Sequence, residues 1–228
     1  MKSLIRTART TGLWYLALGL VGMASFLLIR PKIYLTDDAP GTLDNLVTNS
    51  GLAHLGVGLE LLTVVAQALC AVSFYKLFAD INRVAAVAIL AFGLVNSVAI
   101  MVSATFMGSA LAVASDPSLA PSGDAAGTVG LLATLSSTAW EAGALFFGLW
   151  LIPMGWVVVT TRRMPTALGW ILIAGGAGYL VSAVLGAAWE GAPSALVENL
   201  TLPASVGEFW MIGYLLWKGI RPSAEVTR

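Results

Sequence analysis

Three carboxylates interrupt stretches of the chain that are otherwise apolar: Glu60, Glu141 and Glu208. An acid at the centre of a membrane helix costs about 2.5–3.5 kcal/mol on the insertion scale, so each should face protein or a water-filled cavity. Two chemistries are open to such a set. Carboxyls lining a cavity accept hydrogen bonds from a ligand or exchange protons with it, and burial makes that binding pH-dependent. A pair within reach of one water can instead serve as general acid and base in hydrolysis.

Helical spacing supplies each acid with polar neighbours. Gly56, Glu60, Thr63 and Gln67 share one face, and Thr134, Ser137, Glu141 and Gly148 share another. Asn96 and Ser103, then Gly175, Tyr179 and Ser182, and finally Ser205 beside Glu208, extend the pattern. Turning these stripes inward predicts one cavity opening away from the cytoplasm, with Glu141 near its mouth. The candidate lining is Glu60, Glu141, Glu208, Asn96, Tyr179, Ser182 and His54. His54 is six residues from Glu60, about 120° off its face, so the two make no chelating pair. It is expected as a hydrogen-bonded surface group, the alternative being a proton sensor or relay.

The elements that hold these residues follow from composition. Of 228 residues, 58% are hydrophobic and 11% charged, and mean hydropathy is +0.86. Soluble domains carry roughly 25% charged residues, so the expected solvent is lipid. Twelve basic and twelve acidic residues leave zero net charge, which predicts no nucleic-acid partner. A lone Cys70 and a lone His54 exclude an internal disulfide, a CxxC site and a zinc site of several His and Cys ligands, and no cofactor is expected.

Apolar runs of about 20 residues or more fall at about 12–30, 52–76, 84–114, 128–160, 166–188 and 203–220. The expected fold is all-α, a single bundle of six transmembrane helices forming one domain. Short helical turns are expected around 42–49 and 194–200. The breaks, such as "PKIYLTDDAPGTLDN" and "SDPSLAPSGDAAG", are rich in turn formers. Pro165 and Pro203 suit a first helical turn, whereas Pro153 should kink the fourth span. The first span, flanked by Arg30 and Lys32 and lacking a cleavage site, reads as a retained anchor.

Basic residues at span ends set the orientation. With the N-terminus in the cytoplasm, Lys2, Arg6, Arg9, Lys76, Arg83, Arg162, Arg163, Lys218, Arg221 and Arg228 lie inside. Only Arg30 and Lys32 fall outside, with Asp37, Asp38, Asp44, Asp116, Asp124, Glu190 and Glu198. Both termini are then cytoplasmic, and the expected location is the cell membrane, crossed several times.

Ala174, Gly178, Ser182 and Gly186 form a small-residue ridge, expected as a helix–helix contact within the chain or with a partner. Trp14, Trp150, Trp156, Trp170, Trp189 and Trp217 are expected as interfacial anchors. Trp140 and Trp210 stand within two residues of a glutamate and are alternatives for lining a pocket. There is no GxSxG, HExxH, P-loop or Rossmann fingerprint.

"RTTGLWYLALGL", "FYKLFADINRVAAVAILAFGLVNS" (74–97), "FFGLWLIPMGWVV" (146–158), "PTALGWILIAGGAGYLVSAVL" (165–185) and "GEFWMIGYLLWKG" (207–219) together resemble the bacterial integral-membrane family known as DUF4386, a domain of unknown function. The resemblance implies a helical membrane protein with no established activity. It matches Glu208 to a glutamate common in the family, and sets Ser136 where members often carry histidine. It also places His54 and Glu60 where a basic and an acidic residue are usual, implying a charged pair between helices. The function expected is non-enzymatic binding or permeation of a small molecule or lipid headgroup. Lipid hydrolysis by paired glutamates and a purely accessory role are the alternatives.

Overall fold

The computed structural model of the chain describes residues 2–189 and 191–221, without the side chain of Lys2. The charge assignments made above for Lys2, Glu190 and Arg228 lie outside the described residues. Every regular element among those residues is helical. Five stretches are long and apolar enough to cross a membrane: Ser3–Ile33, Ser50–Phe78, Arg83–Ser115, Ala125–Thr161 and Thr166–Ala188.

The first stretch comprises α1 (Lys2–Met23), a π-helical turn (Ala24–Ile29) and a short α2 (Arg30–Ile33). There follow α3 (Ala39–Thr48), α4 (Ser50–Phe78), α5 (Arg83–Ser115), α6 (Ala125–Thr161), α7 (Thr166–Ala188), α8 (Ser194–Asn199) and α9 (Leu202–Trp217). The short helices α3 and α8 arise where the turn-rich linkers predict them. The sixth expected span falls on α9, which is not among the five: its 16 residues rise only about 24 Å against a hydrocarbon core of about 30 Å. Pro153 does not break α6, which continues to Thr161.

The chain forms two compact units: Met1–Ala17, Gln67–Asn96 and Ala144–Arg228 make the first, Leu18–Ala66 and Ser97–Gly143 the second. Helices α4, α5 and α6 each contribute residues to both, as does the stretch from α1 to α2.

In the first unit glycine governs the packing of α7. Backbone meets backbone at two reciprocal places. A Cβ on Gly148 would lie 2.8 Å from the Gly176 carbonyl oxygen, and one on Gly176 would lie 2.6 Å from that of Gly148. One α6 heptad onward, Gly155 and Gly169 repeat the arrangement at 2.4 and 2.7 Å. Another face of α7 receives the end of the chain: Gly175 meets the backbone of Ala204, and Gly178 the carbonyl of Leu200. Ser182 Oγ donates to Val197 O at 2.9 Å. Of the expected ridge, Gly178 and Ser182 are thus buried within the chain, while Ala174 and Gly186 are exposed. Small residues permit this approach, and in lipid close packing drives helix association.

In the second unit α3 folds back over the end of α2. Asp38 caps it by accepting from Gly41 N at 2.8 Å. Thr42 Oγ1 accepts from Leu35 N at 2.9 Å, and Asn45 Nδ2 donates to Ile33 O at 3.4 Å. Ile33 and Leu46 then join Ala53, Ala110, Ala114, Ala120 and Val129 in an apolar core.

The glycine contacts lead to a direct test. Gly176→Leu should lower stability by about 1–3 kcal/mol through overpacking, read as a lower melting temperature in detergent. Gly19→Ala, where nothing lies within 4 Å, should leave melting unchanged or slightly raised.

Candidate functional site

The second unit buries a cation. Arg30 is 8% exposed, although its place beside Lys32 suggested an outer loop. The correction has a local cause. Within the π turn the Arg30 N–H bonds to Ser25 O, five residues back, so helix continues through Arg30 to Ile33. A π turn rotates the following residues relative to an α-helix, and such turns are frequent at functional sites. Here Ser25, Ile29 and Arg30 are buried, while Phe26, Leu27 and Leu28 are exposed.

Around Arg30 gather groups from three other segments. Glu60 on α4 is fully buried, and its Oε1 lies 3.8 Å from Arg30 Nη1. Ser25 Oγ donates to the same oxygen at 3.3 Å. Arg30 Nη2 donates to Ser136 Oγ of α6 at 2.5 Å and to Ser103 Oγ of α5 at 3.5 Å, and the two serine hydroxyls are 2.9 Å apart. Gly56, one turn before Glu60, admits the first stretch, since a Cβ there would lie 3.0 Å from Ile29 Cγ2. On the outward side Phe26 and Trp140 stack at 5.4 Å, and the guanidinium carbon lies 5.9 and 5.7 Å from their ring centroids. Such distances fall within the range of cation–π attraction.

Two atoms of this cluster have no hydrogen-bond partner among the described residues: Glu60 Oε2 and Tyr34 Oη. Burial pushes the Tyr34 hydroxyl up to about 12, with the Glu60 charge adding to the rise and Arg30 opposing it. Tyr34 therefore stays protonated and available as a donor at neutral pH.

Glu208 belongs to the first unit and has its own company. Its Oε1 accepts from Tyr15 Oη at 2.6 Å, tying α1 to α9. The Tyr15 ring packs edge-on to Phe74 and Trp150 at 5.4 and 5.5 Å. Gln67, buried completely, has neither amide atom paired, and Trp150 Nε1 is likewise unpaired among the described residues. Trp150, expected as an interfacial anchor, is instead fully buried, because α6 points it at Tyr15 and Phe74. The exposed Trp156, Trp170, Trp189 and Trp217 remain suited to anchoring.

The other expected lining residues fall in several places. Asn96 is buried in the first unit, Tyr179 packs edge-on to Phe147 at 5.3 Å, and Ser182 is engaged by Val197. Glu141 lies exposed on α6, with Ser137 and Thr134 on the same side. Ser136, one position before Ser137, is the residue of that helix that hydrogen-bonds Arg30. His54 is exposed and its Nδ1 lies 2.8 Å from Ser50 O, so the cation partnering Glu60 is Arg30. Arg30, Ser25, Ser136, Tyr34 and Tyr15 were not among the expected lining. The five-residue spacing of Ser25 and Arg30 fits a π turn and bears on those two alone; no spacing marks Ser136, Tyr34 or Tyr15. Among the described residues no group of three or more His, Cys, Asp or Glu could hold a metal ion.

Arg30→Ala should destabilise the protein by about 3–5 kcal/mol, because it strands a buried carboxylate. The double variant Arg30→Met with Glu60→Leu should recover much of that loss, and a double-mutant cycle on chemical denaturation measures the coupling. In the first unit Tyr15→Phe should cost about 1–3 kcal/mol by removing the donor to Glu208.

No curated protein and no solved structure matches the chain. The family described as Domain of unknown function (DUF4386) matches residues 10–219. With an all-helical fold, five helices able to cross a membrane and a match over most of its length, the chain belongs to the DUF4386 family.

Proposed function

We propose that this is a non-enzymatic membrane protein that binds a small polar molecule or lipid headgroup at the Arg30–Glu60 cluster. In this reading the chain crosses the bacterial plasma membrane six times, with α9 as a short last span and both termini in the cytoplasm. The bias of Lys and Arg toward the ends carrying Arg6, Arg9, Lys76, Arg83, Arg162 and Arg163 supports that orientation. The cluster then sits in the outer half of the bilayer.

One observation carries the proposal: a carboxylate paired with a buried guanidinium has an oxygen, and the nearby Tyr34 a buried hydroxyl, with no hydrogen-bond partner among the described residues. Leaving such groups unpaired costs about 1–3 kcal/mol each, more for a charged one. A ligand bearing a donor for Glu60 Oε2 relieves that cost on binding. Arg30 adds anion recognition, since Nη2 is committed to the serines while Nη1 stands beyond hydrogen-bond distance of Glu60. The arrangement favours binding over hydrolysis because Glu60 faces a cation here rather than a second carboxylate. Permeation would need a continuous polar path in addition to this site.

The test is ligand-dependent melting of the purified chain against a panel of polar small molecules and lipids. A stabilising compound should lose its effect in Glu60→Gln and in Arg30→Lys, which keeps the charge but not the planar fork. Stabilisation that persists in both folded variants would place binding elsewhere and sink this assignment.

A further inference from the structure

We infer that the occupant of the Arg30–Glu60 cluster is membrane-borne: an amphiphile with a phosphate and a primary ammonium in its headgroup, reaching Arg30 sideways past Phe26 and Trp140. This deepens the binding assignment above and rests on it.

The route follows from what closes the cluster. Each contributing helix places at least one buried apolar residue between the cluster and the adjoining loop. Ile33 lies beyond Arg30, Ala53 before Glu60, Ala110 and Ala114 beyond Ser103, and Val129 before Ser136. Leu46 of α3 completes this core, and α3 is fastened to the end of α2 through Thr42 and Asn45. A polar solute arriving along the helices from that end would have to pass this apolar core. The flank differs. Arg30 is not wholly covered, and the partly exposed Phe26–Trp140 stack stands beside its guanidinium. Phe26 is 43% exposed, and Leu27 and Leu28, 60% and 62% exposed, continue the apolar surface. A soluble ion gains nothing from that wall. An acyl chain lies against it favourably while its headgroup turns inward.

The headgroup chemistry follows from the unpaired atoms. Arg30 and Glu60 cancel in charge, so a zwitterion leaves the buried site neutral, whereas an anionic headgroup leaves a net charge in low dielectric. Glu60 Oε2 requires a donor, which a primary ammonium supplies and a quaternary ammonium lacks. The aromatic faces suited to a quaternary ammonium are already turned to Arg30. Arg30 Nη1, which stands beyond hydrogen-bond distance of Glu60, and the Tyr34 hydroxyl suit phosphate oxygens.

The experiment is native mass spectrometry of the full chain, released from detergent after incubation with phosphatidylethanolamine, phosphatidylcholine and phosphatidylglycerol of identical acyl chains. Glycerophosphoethanolamine serves as the soluble counterpart. Phosphatidylethanolamine should be retained about tenfold over the other two, the scale of one charge-assisted hydrogen bond, and the soluble headgroup should give no adduct. Glu60→Gln should abolish the preference, and the milder Tyr34→Phe should weaken it while the protein stays folded. Equal retention of all three lipids, or preference for phosphatidylglycerol, overturns the headgroup assignment. Glycerophosphoethanolamine bound as well as its lipid overturns the lateral route. Glu60-dependent binding of some other soluble compound would sink this inference and leave the binding site standing. Melting shifts insensitive to Glu60 and Arg30 would sink both.

Discussion

A buried charge must be matched where it lies, and in this protein that requirement falls on Arg30. Its guanidinium is removed from water within an apolar helical unit, where an unmatched cation would be prohibitive. Four helical segments meet its needs. The π turn brings Arg30 and Ser25 to one side, Gly56 lets that turn approach α4, and Glu60 supplies the opposite charge. Ser103 and Ser136 occupy the donors of Nη2. Removing Arg30 or Glu60 strands the other, so the two charges and the serines around them act as one electrostatic assembly under an apolar roof.

The first unit rests on different physics. Its cohesion comes from glycine, which lets α6 and α7 touch backbone to backbone at Gly148–Gly176 and Gly155–Gly169. In water such contacts would add to a hydrophobic driving force. In lipid, where the surroundings are as apolar as the side chains, close packing itself supplies the association energy. Tyr15 adds one strong polar tie, bonding Glu208 while its ring fills the space between Phe74 and Trp150. Gln67 and Trp150 Nε1, buried close by without partners among the described residues, mark the second place where the interior is polar.

Much of this was legible in residue order. Span positions could be read because lipid demands long apolar runs and loops demand turn formers. The face carrying Gly56, Glu60, Thr63 and Gln67 is buried along its whole length, as a period of 3.6 implies. Periodicity failed for Glu141. The polar residues of α6 fall on more than one face, and counting turns cannot say which face meets the rest of the chain. Ser136, one position from Ser137, took the buried place. Arg30 escaped because it follows an apolar run, where basic residues ordinarily snorkel to the headgroups.

Composition and hydropathy were sufficient for an all-helical fold with helices long and apolar enough to cross a membrane, because those properties sum over many residues. They also located Glu60 and Glu208 as polar groups inside apolar helices. Partners were another matter. Arg30 for Glu60 and Tyr15 for Glu208 are separated from their acids by 30 and 193 positions, and a one-residue change of helical winding redirects a side chain by about 100°. A pairing so sensitive to rotation is settled only when the helices are packed against one another.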